Sequence, residues 1–374
     1  MSIALFKTKV HDEAIENVTK VLKSGWLSLG PVVEEFEKEF AAYVQAPYAI
    51  AFSSATAALH VAVRLLNLGP TDYVLSTPMT FISTNHVVLY ENLPLIFGDI
   101  DLSTGNLDLT SIRKACQLYK PKALMFVHYS GNVGQLDFLY EIADEYKLTI
   151  IEDCAHAAGA CYVVPDYGYA EMVGHRAQLA AFSFHAVKNL PLGDGGMLTT
   201  TNEEFATRAK KLRWMGIDKS TRDRTKGSMY GWRYDVTEVG FKSYMNDINA
   251  AIGLGQLPHL NDDNTYRKKI YDTYKRAELP ILYAPPGSSH HMCVILANDR
   301  EHRETIMANL MKNDIQYGCH YLPNYYYSMY KDVPRINGCV NTEEFYSRCI
   351  TLPTHLFLTE NDLDKIINVI KEVI

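Results

Sequence analysis

Between residues 48 and 184 short apolar runs alternate with longer amphipathic ones, and no other feature restricts the fold as much. The short runs are Tyr48–Phe52, Tyr73–Ser76, Leu95–Gly98, Ala123–His128, Thr149–Glu152 and Ala180–Phe184. Thr56–Leu66, Ser83–Tyr90 and Leu136–Tyr146 lie among them and carry apolar residues at helical spacing. Strands joined through helices pair in parallel, and the crossover helices then cover both faces of the sheet. The expected class is therefore α/β, with a mainly parallel sheet between helices. Ligands of such sheets sit beyond the carboxyl ends of the strands. Ser54, Asp153 and Lys188 all fall at or just after expected strand ends.

The flanks are read in the same way. Ile15, Val18 and Leu22 mark a helix over 11–24, and Val33, Phe36 and Phe40 mark another after the loop Trp26–Pro31. Residues 215–240 read as irregular and polar, with Arg222–Gly227 as an exposed turn. Helices are expected from about Asn246 to Gln256 and around Tyr266, Ile270 and Tyr274. Smaller-scale alternation fills 280–374, with His290, His291 and Cys293 in one strand. A boundary near 245 divides a large domain, 1–245, from a small C-terminal α/β domain, 246–374; a chain of 374 residues is long enough for both.

Composition removes several function classes. A net charge of −7 argues against nucleic acid as a partner, since such surfaces carry a basic excess. No apolar run approaches the roughly 18 residues of a membrane-crossing helix, and the first residues do not resemble a secretion signal. The seven cysteines are odd in number and include no C-x-x-C pair, so reduced thiols of a cytoplasmic protein are expected, with neither a disulfide frame nor a metal site.

Lys188 follows the run Ala181–Val187 and precedes the glycine turn Gly193-Asp194-Gly195-Gly196. A lysine there is either an ordinary surface residue or a partly buried amine able to form imines. Asp153, at the end of Ile150-Ile151-Glu152, is either a helix cap or a carboxylate that pairs with a protonated pyridine nitrogen. Ser54-Ala55-Thr56 is either a helix cap or a phosphate cup made of backbone N–H groups and hydroxyls, and Ser183 could add another hydroxyl. Phe81 is either core or an aromatic that stacks on a flat ring, and His156 lies three residues from Asp153. Together these are the parts of a pyridoxal 5′-phosphate (PLP) site.

These segments, in this order along nearly the whole chain, resemble the DegT/DnrJ/StrS family of PLP-dependent sugar aminotransferases. The likeness runs through Gly25-Trp26-Leu27-Ser28-Leu29-Gly30-Pro31, Ser54–Leu59, Thr80-Phe81, Phe97–Asp101, Glu152–His156, Phe182–Lys188, Gly193–Gly196, Asp247–Gly253 and Cys319–Pro323. The resemblance implies fold type I, the aspartate aminotransferase-like fold, with a large domain built on a seven-stranded sheet and a smaller C-terminal domain. It also implies Lys188 as the Schiff-base lysine, Asp153 as the ring-nitrogen partner and Phe81 as the stacking aromatic. Ser54, Ala55, Thr56 and Ser183 would hold the phosphate, and His156 would lie beside the ring hydroxyl. Lys242 stands where many members have an asparagine that reaches the neighbouring subunit's phosphate, so a homodimer with shared sites is expected. Ala55 replaces the family's usual glycine, which would strain a backbone of positive φ.

The function implied is transfer of an amino group from L-glutamate to a keto sugar, most simply a nucleotide-linked keto-deoxyhexose, for surface polysaccharide or glycoside biosynthesis. Trp26, His185, Lys219, His320 and Tyr321 are the expected substrate residues. Members that deoxygenate sugars carry histidine in place of the lysine, so Lys188 favours amination. The rival readings are a PLP-dependent sugar dehydratase or deoxygenase, a non-catalytic PLP or sugar sensor, and a plain structural subunit.

Overall fold

The computed structural model describes residues 2–163, 170–219 and 233–374; the expected turn Arg222–Gly227 lies outside them. Seven strands form the central sheet: β1 (Tyr48–Phe52), β2 (Val74–Ser76), β3 (Leu95–Phe97), β4 (Ala123–Val127), β5 (Thr149–Asp153), β8 (Leu179–Ser183) and β9 (Gly196–Thr200). The order is β1-β9-β8-β5-β4-β2-β3. β3, β2, β4, β5 and β8 run parallel, and β9 is antiparallel to both its neighbours. A small antiparallel pair, β6 (Cys161–Val163) with β7 (Ala170–Met172), interrupts the alternation after β5.

Pleating sends alternate residues to opposite faces. Ile50 and Phe52 of β1 and Ala123 and Met125 of β4 enter one core, against helices α3 (Ala55–Leu65), α4 (Ser83–Tyr90) and α7 (Glu203–Leu212). Ala49 and Ala51 of β1 and Leu124 and Phe126 of β4 enter the other, against α2 (Pro31–Val44), α5 (Leu109–Tyr119) and α6 (Leu136–Tyr146). Both faces are covered, as the alternation requires. Strand β9 and helices α5 and α7 are additions to the sequence reading.

A third core joins helices Leu260–Arg276, Arg300–Lys312 and Glu360–Lys371 to the antiparallel pair β10 (Cys293–Leu296) and β11 (Cys349–Leu352). His290 and His291 precede β10 and are not part of it. Packing links residues on both sides of the expected boundary near 245. Ala250, Leu257 and Leu260 belong to the first core, whereas Ile3 belongs to the third. Among the described residues no helix is long and apolar enough to cross a membrane.

Candidate active site

The geometry follows from strand order. β5 and β8 are parallel neighbours with Asp153 opposite Ala181, so their carboxyl ends emerge side by side. Past β8 the chain turns back into antiparallel β9 through a loop tied by Phe184 N–H to Gly195 O (2.9 Å), Ala186 N–H to Gly193 O (2.8 Å) and Lys188 N–H to His185 O (2.8 Å). Lys188 sits in that loop. A cavity of about 580 Å³ brings it together with Ser54, Ala55, Thr56, Phe81, Asp153, His156, Ser183, His185, His320 and Tyr321.

Asp153 is the last residue of β5, so it is not a helix cap. Its carboxylate accepts from Thr84 Oγ1 (2.8 Å) and from the Ala155 amide (3.1 Å). Thr84 is held in turn by Thr80 (2.8 Å), which must donate because the Thr84 proton is already spent on Asp153. Burial raises the Asp153 pKa, against those hydrogen bonds and the Lys188 charge. Burial also lowers Lys188 to about 8, with Asp153 opposing. Each group thus moves toward its neutral form, as burial of a charge demands.

The neighbouring Glu152 points away from Asp153, since successive strand residues face opposite ways. Burial alone would raise it, but the hydrogen bond (3.1 Å) and charge of His128, together with the Tyr140 and Gly174 hydrogen bonds, outweigh that and hold it below the ordinary range. His128, Glu152 and Cys154 bring potential ligand atoms within 4.8 Å of one another. Both carboxylate oxygens already accept, one from His128 and one from Tyr140.

His156 takes the Ser130 amide on Nδ1 (3.3 Å), so its neutral ring carries the proton on Nε2, 3.0 Å from Tyr321 Oη. Its ring stacks on His291, centroids 4.6 Å apart. Burial, then the nearby Lys188 and His320 charges, hold its pKa well below the usual value. Phe81 is 58% exposed on the cavity wall and is not core. Ser54 is the N-cap of α3, its Oγ accepting from the Ala57 amide (3.1 Å), and it also lines the cavity; the two readings of this segment are compatible. The strain foreseen for Ala55 is absent, because it is the first residue of α3 and its φ is not positive.

A model of the DegT/DnrJ/EryC1/StrS aminotransferase family matches residues 8–371. The chain belongs to this family. It is 34% identical to the spore coat polysaccharide biosynthesis protein SpsC of Bacillus subtilis, over 98% of this chain and 95% of SpsC. The PLP form of Spr1654 from Streptococcus pneumoniae, described as a sugar aminotransferase, superposes with a TM-score of 0.90 at 27% identity, covering 100% of both chains. AtS13 from Actinomadura melliaura superposes with a TM-score of 0.88 at 31% identity, over 99% of this chain and 98% of AtS13. The fold, the cofactor class and the reaction class follow: this is a PLP-dependent sugar aminotransferase of fold type I.

The aminotransferase's own residues fit that cofactor. A buried carboxylate whose hydrogen bonds come only from neutral donors is suited to a protonated ring nitrogen. The first turn of α3 leaves leading N–H groups without intrahelical acceptors, as an anion requires. β9 makes room for that turn: a Cβ on Gly196 would stand 2.4 Å from Ser54 C and 2.5 Å from Ala55 N.

Three expected residues lie outside this cavity within the aminotransferase chain. Trp26 donates from Nε1 to Leu29 O (3.2 Å), Lys219 donates to Arg233 O (3.0 Å) in a separate cleft with Glu34 and Trp214, and Lys242 is exposed with its Nζ 6.0 Å from the Trp214 ring centre. The sequence reading missed Thr80 and Thr84. The signal was present, since both flank Phe81 at the start of α4, but their partner is 69 residues away from Thr84.

Proposed function

We propose that this aminotransferase moves an amino group from L-glutamate to a nucleotide-linked keto-deoxyhexose, for surface polysaccharide or glycoside biosynthesis. The carrying observation is the cavity lining. Apart from Lys188, Asp153, Asp194 and Cys319, its polar side chains are hydroxyls and imidazoles, among them Thr80, Ser83, His185, His320, Tyr321 and Tyr327. Such groups donate to and accept from sugar hydroxyls without requiring a charged acceptor. The named role of SpsC in polysaccharide biosynthesis supports the same class of product.

When bound, PLP supplies the electron sink and carries the nitrogen between donor and acceptor. Lys188 Nζ takes the proton from the donor's α-carbon and returns it on the acceptor's side, as general base and then acid. Asp153 would hold the proton on the ring nitrogen. The Tyr321–His156 bond fixes an imidazole that would face the ring. Lys188 is the only lysine or arginine among the described lining residues, so the charge of the cofactor phosphate calls for a cation from elsewhere. Exposed Lys242 of a second copy fits that need, which supports a homodimer with shared sites.

The decisive experiment incubates the holoenzyme with glutamate and a panel of keto-sugar nucleotides, followed by mass spectrometry. Amino sugar equal in amount to 2-oxoglutarate is the expected result. Loss of sugar oxygen without gain of nitrogen would establish the deoxygenase reading, and PLP binding without turnover the sensor reading. Lys188→Ala should lose nearly all turnover, because general acid–base help alone contributes roughly 10²–10⁴-fold; a variant of undiminished rate would sink the assignment.

A further inference from the structure

Two thiols meet at the cavity wall. Cys319 lines the cavity beside His320 and Tyr321, and Cys349 opens β11 and is buried. Their sulfurs are 3.5 Å apart. Beside them Gly318 and Thr351 bond in both directions (3.0 and 2.8 Å), which keeps the two backbones about 5 Å apart. Arg303 brings Nη1 to 3.6 Å from the Cys319 sulfur and is itself 9% exposed. The hydrogen bond from Cys349 and the Arg303 charge lower the Cys319 thiol, with burial opposing, while that bond and burial push Cys349 well up. A cavity-facing thiol whose pKa is lowered, backed by a second sulfur 3.5 Å away, is the arrangement that peroxides oxidise selectively.

We propose that Cys319 and Cys349 form a reversible oxidation site, in which a hydroperoxide closes a disulfide that draws Tyr321 away from His156. The Cys319 thiolate attacks one peroxide oxygen. The O–O bond breaks, and the departing hydroxide takes up the Cys319 proton as water, leaving a sulfenic acid. Cys349 sulfur then attacks the Cys319 sulfur, and the displaced hydroxide leaves as water with the Cys349 proton. Two thiols and one hydrogen peroxide become one disulfide and two waters, the two electrons passing from sulfur to oxygen. Closing the sulfurs from 3.5 Å to about 2.05 Å pulls Cys319 toward β11. Tyr321, two residues on, accepts from His156 Nε2 at 3.0 Å, so the pull reaches the cofactor site.

This inference goes beyond the acceptor assignment and does not depend on it. The test treats holoenzyme with hydrogen peroxide, blocks remaining thiols, and maps peptides by mass. A Cys319–Cys349 cross-link lighter by about 2 Da than the paired thiol peptides, reversed by dithiothreitol, is expected. The amino-donor half, read from the bound cofactor's absorbance, should slow about tenfold or more. In Cys349→Ala the same treatment should leave a dimedone-trappable sulfenic acid on Cys319 and no cross-link. Both thiols remaining alkylatable in the wild type, or a cross-link with an unchanged donor half, overturns the proposal. Absence of the dimedone adduct in Cys349→Ala overturns Cys319 as the attacking thiol.

Discussion

Lys188 and Asp153 carry opposite charges in water, and burial pulls both toward neutrality. Capture of PLP needs the free amine, so the capture rate of cofactor-free protein should climb about tenfold per pH unit up to pH 8 and level off above it. Stopped-flow absorbance checks this. The same shift has a stability signature. The folded pKa lies below the unfolded one, so between about 8 and 10.5 the native state holds fewer protons than the unfolded state, and stability rises with pH across that window. Below pH 8 the cost of the buried ammonium is fully present. Lys188→Met should therefore stabilise the cofactor-free protein at pH 7, by up to about 3 kcal/mol, and remove that rise in urea titrations. Thr84→Val strips a donor from the Asp153 carboxylate and should weaken PLP binding by about 1–3 kcal/mol, read by cofactor titration. Asp153 and Lys188 were legible because one ends a recognisable strand pattern and the other follows closely on one. The pairs that tune them were not: Thr84 with Asp153 and Tyr321 with His156 are 69 and 165 residues apart, and one sequence carries no sign of who meets whom.

Among elements, β9 does most to shape the site. Its antiparallel run between β1 and β8 returns the chain after Lys188 and lays Gly196 against the start of α3. Gly196→Ala would drive a methyl into the Ser54–Ala55 backbone. It should cost about 1–3 kcal/mol in thermal or urea unfolding and weaken PLP binding through displaced α3 amides. The parallel strands were readable because they are apolar runs set between helices. β9 was hidden by its position directly behind a glycine turn, where Gly193–Gly196 reads as loop and Met197–Thr200 is too short to show a period. The helix Asp247–Gln256 was located correctly from its pattern, yet its allegiance was not visible: only the packing shows Ala250 in the first core.

At the scale of the whole molecule, the first residues bind the rest together. Ile3 forms a parallel bridge with Ile315, its N–H bonding Asp314 O (2.8 Å) and its carbonyl accepting from Gln316 (2.9 Å). Thr8 Oγ1 donates to Ala186 O (2.6 Å), two residues before Lys188. The segment thus links the third core to the lysine loop. Ile3→Ala should lower unfolding stability by about 2 kcal/mol, measured from the urea midpoint. Nothing in a short, unpatterned N-terminus announces such a partner more than 300 residues on. These pairings also set an order of assembly during synthesis. β1 can join the sheet only through β9, and Ile3 can dock only once residue 315 has left the ribosome. The parallel strands β2 to β5 can pair among themselves while translation continues. The walls around Lys188 therefore close late, and the growing chain cannot hold a cofactor until most of it has been made.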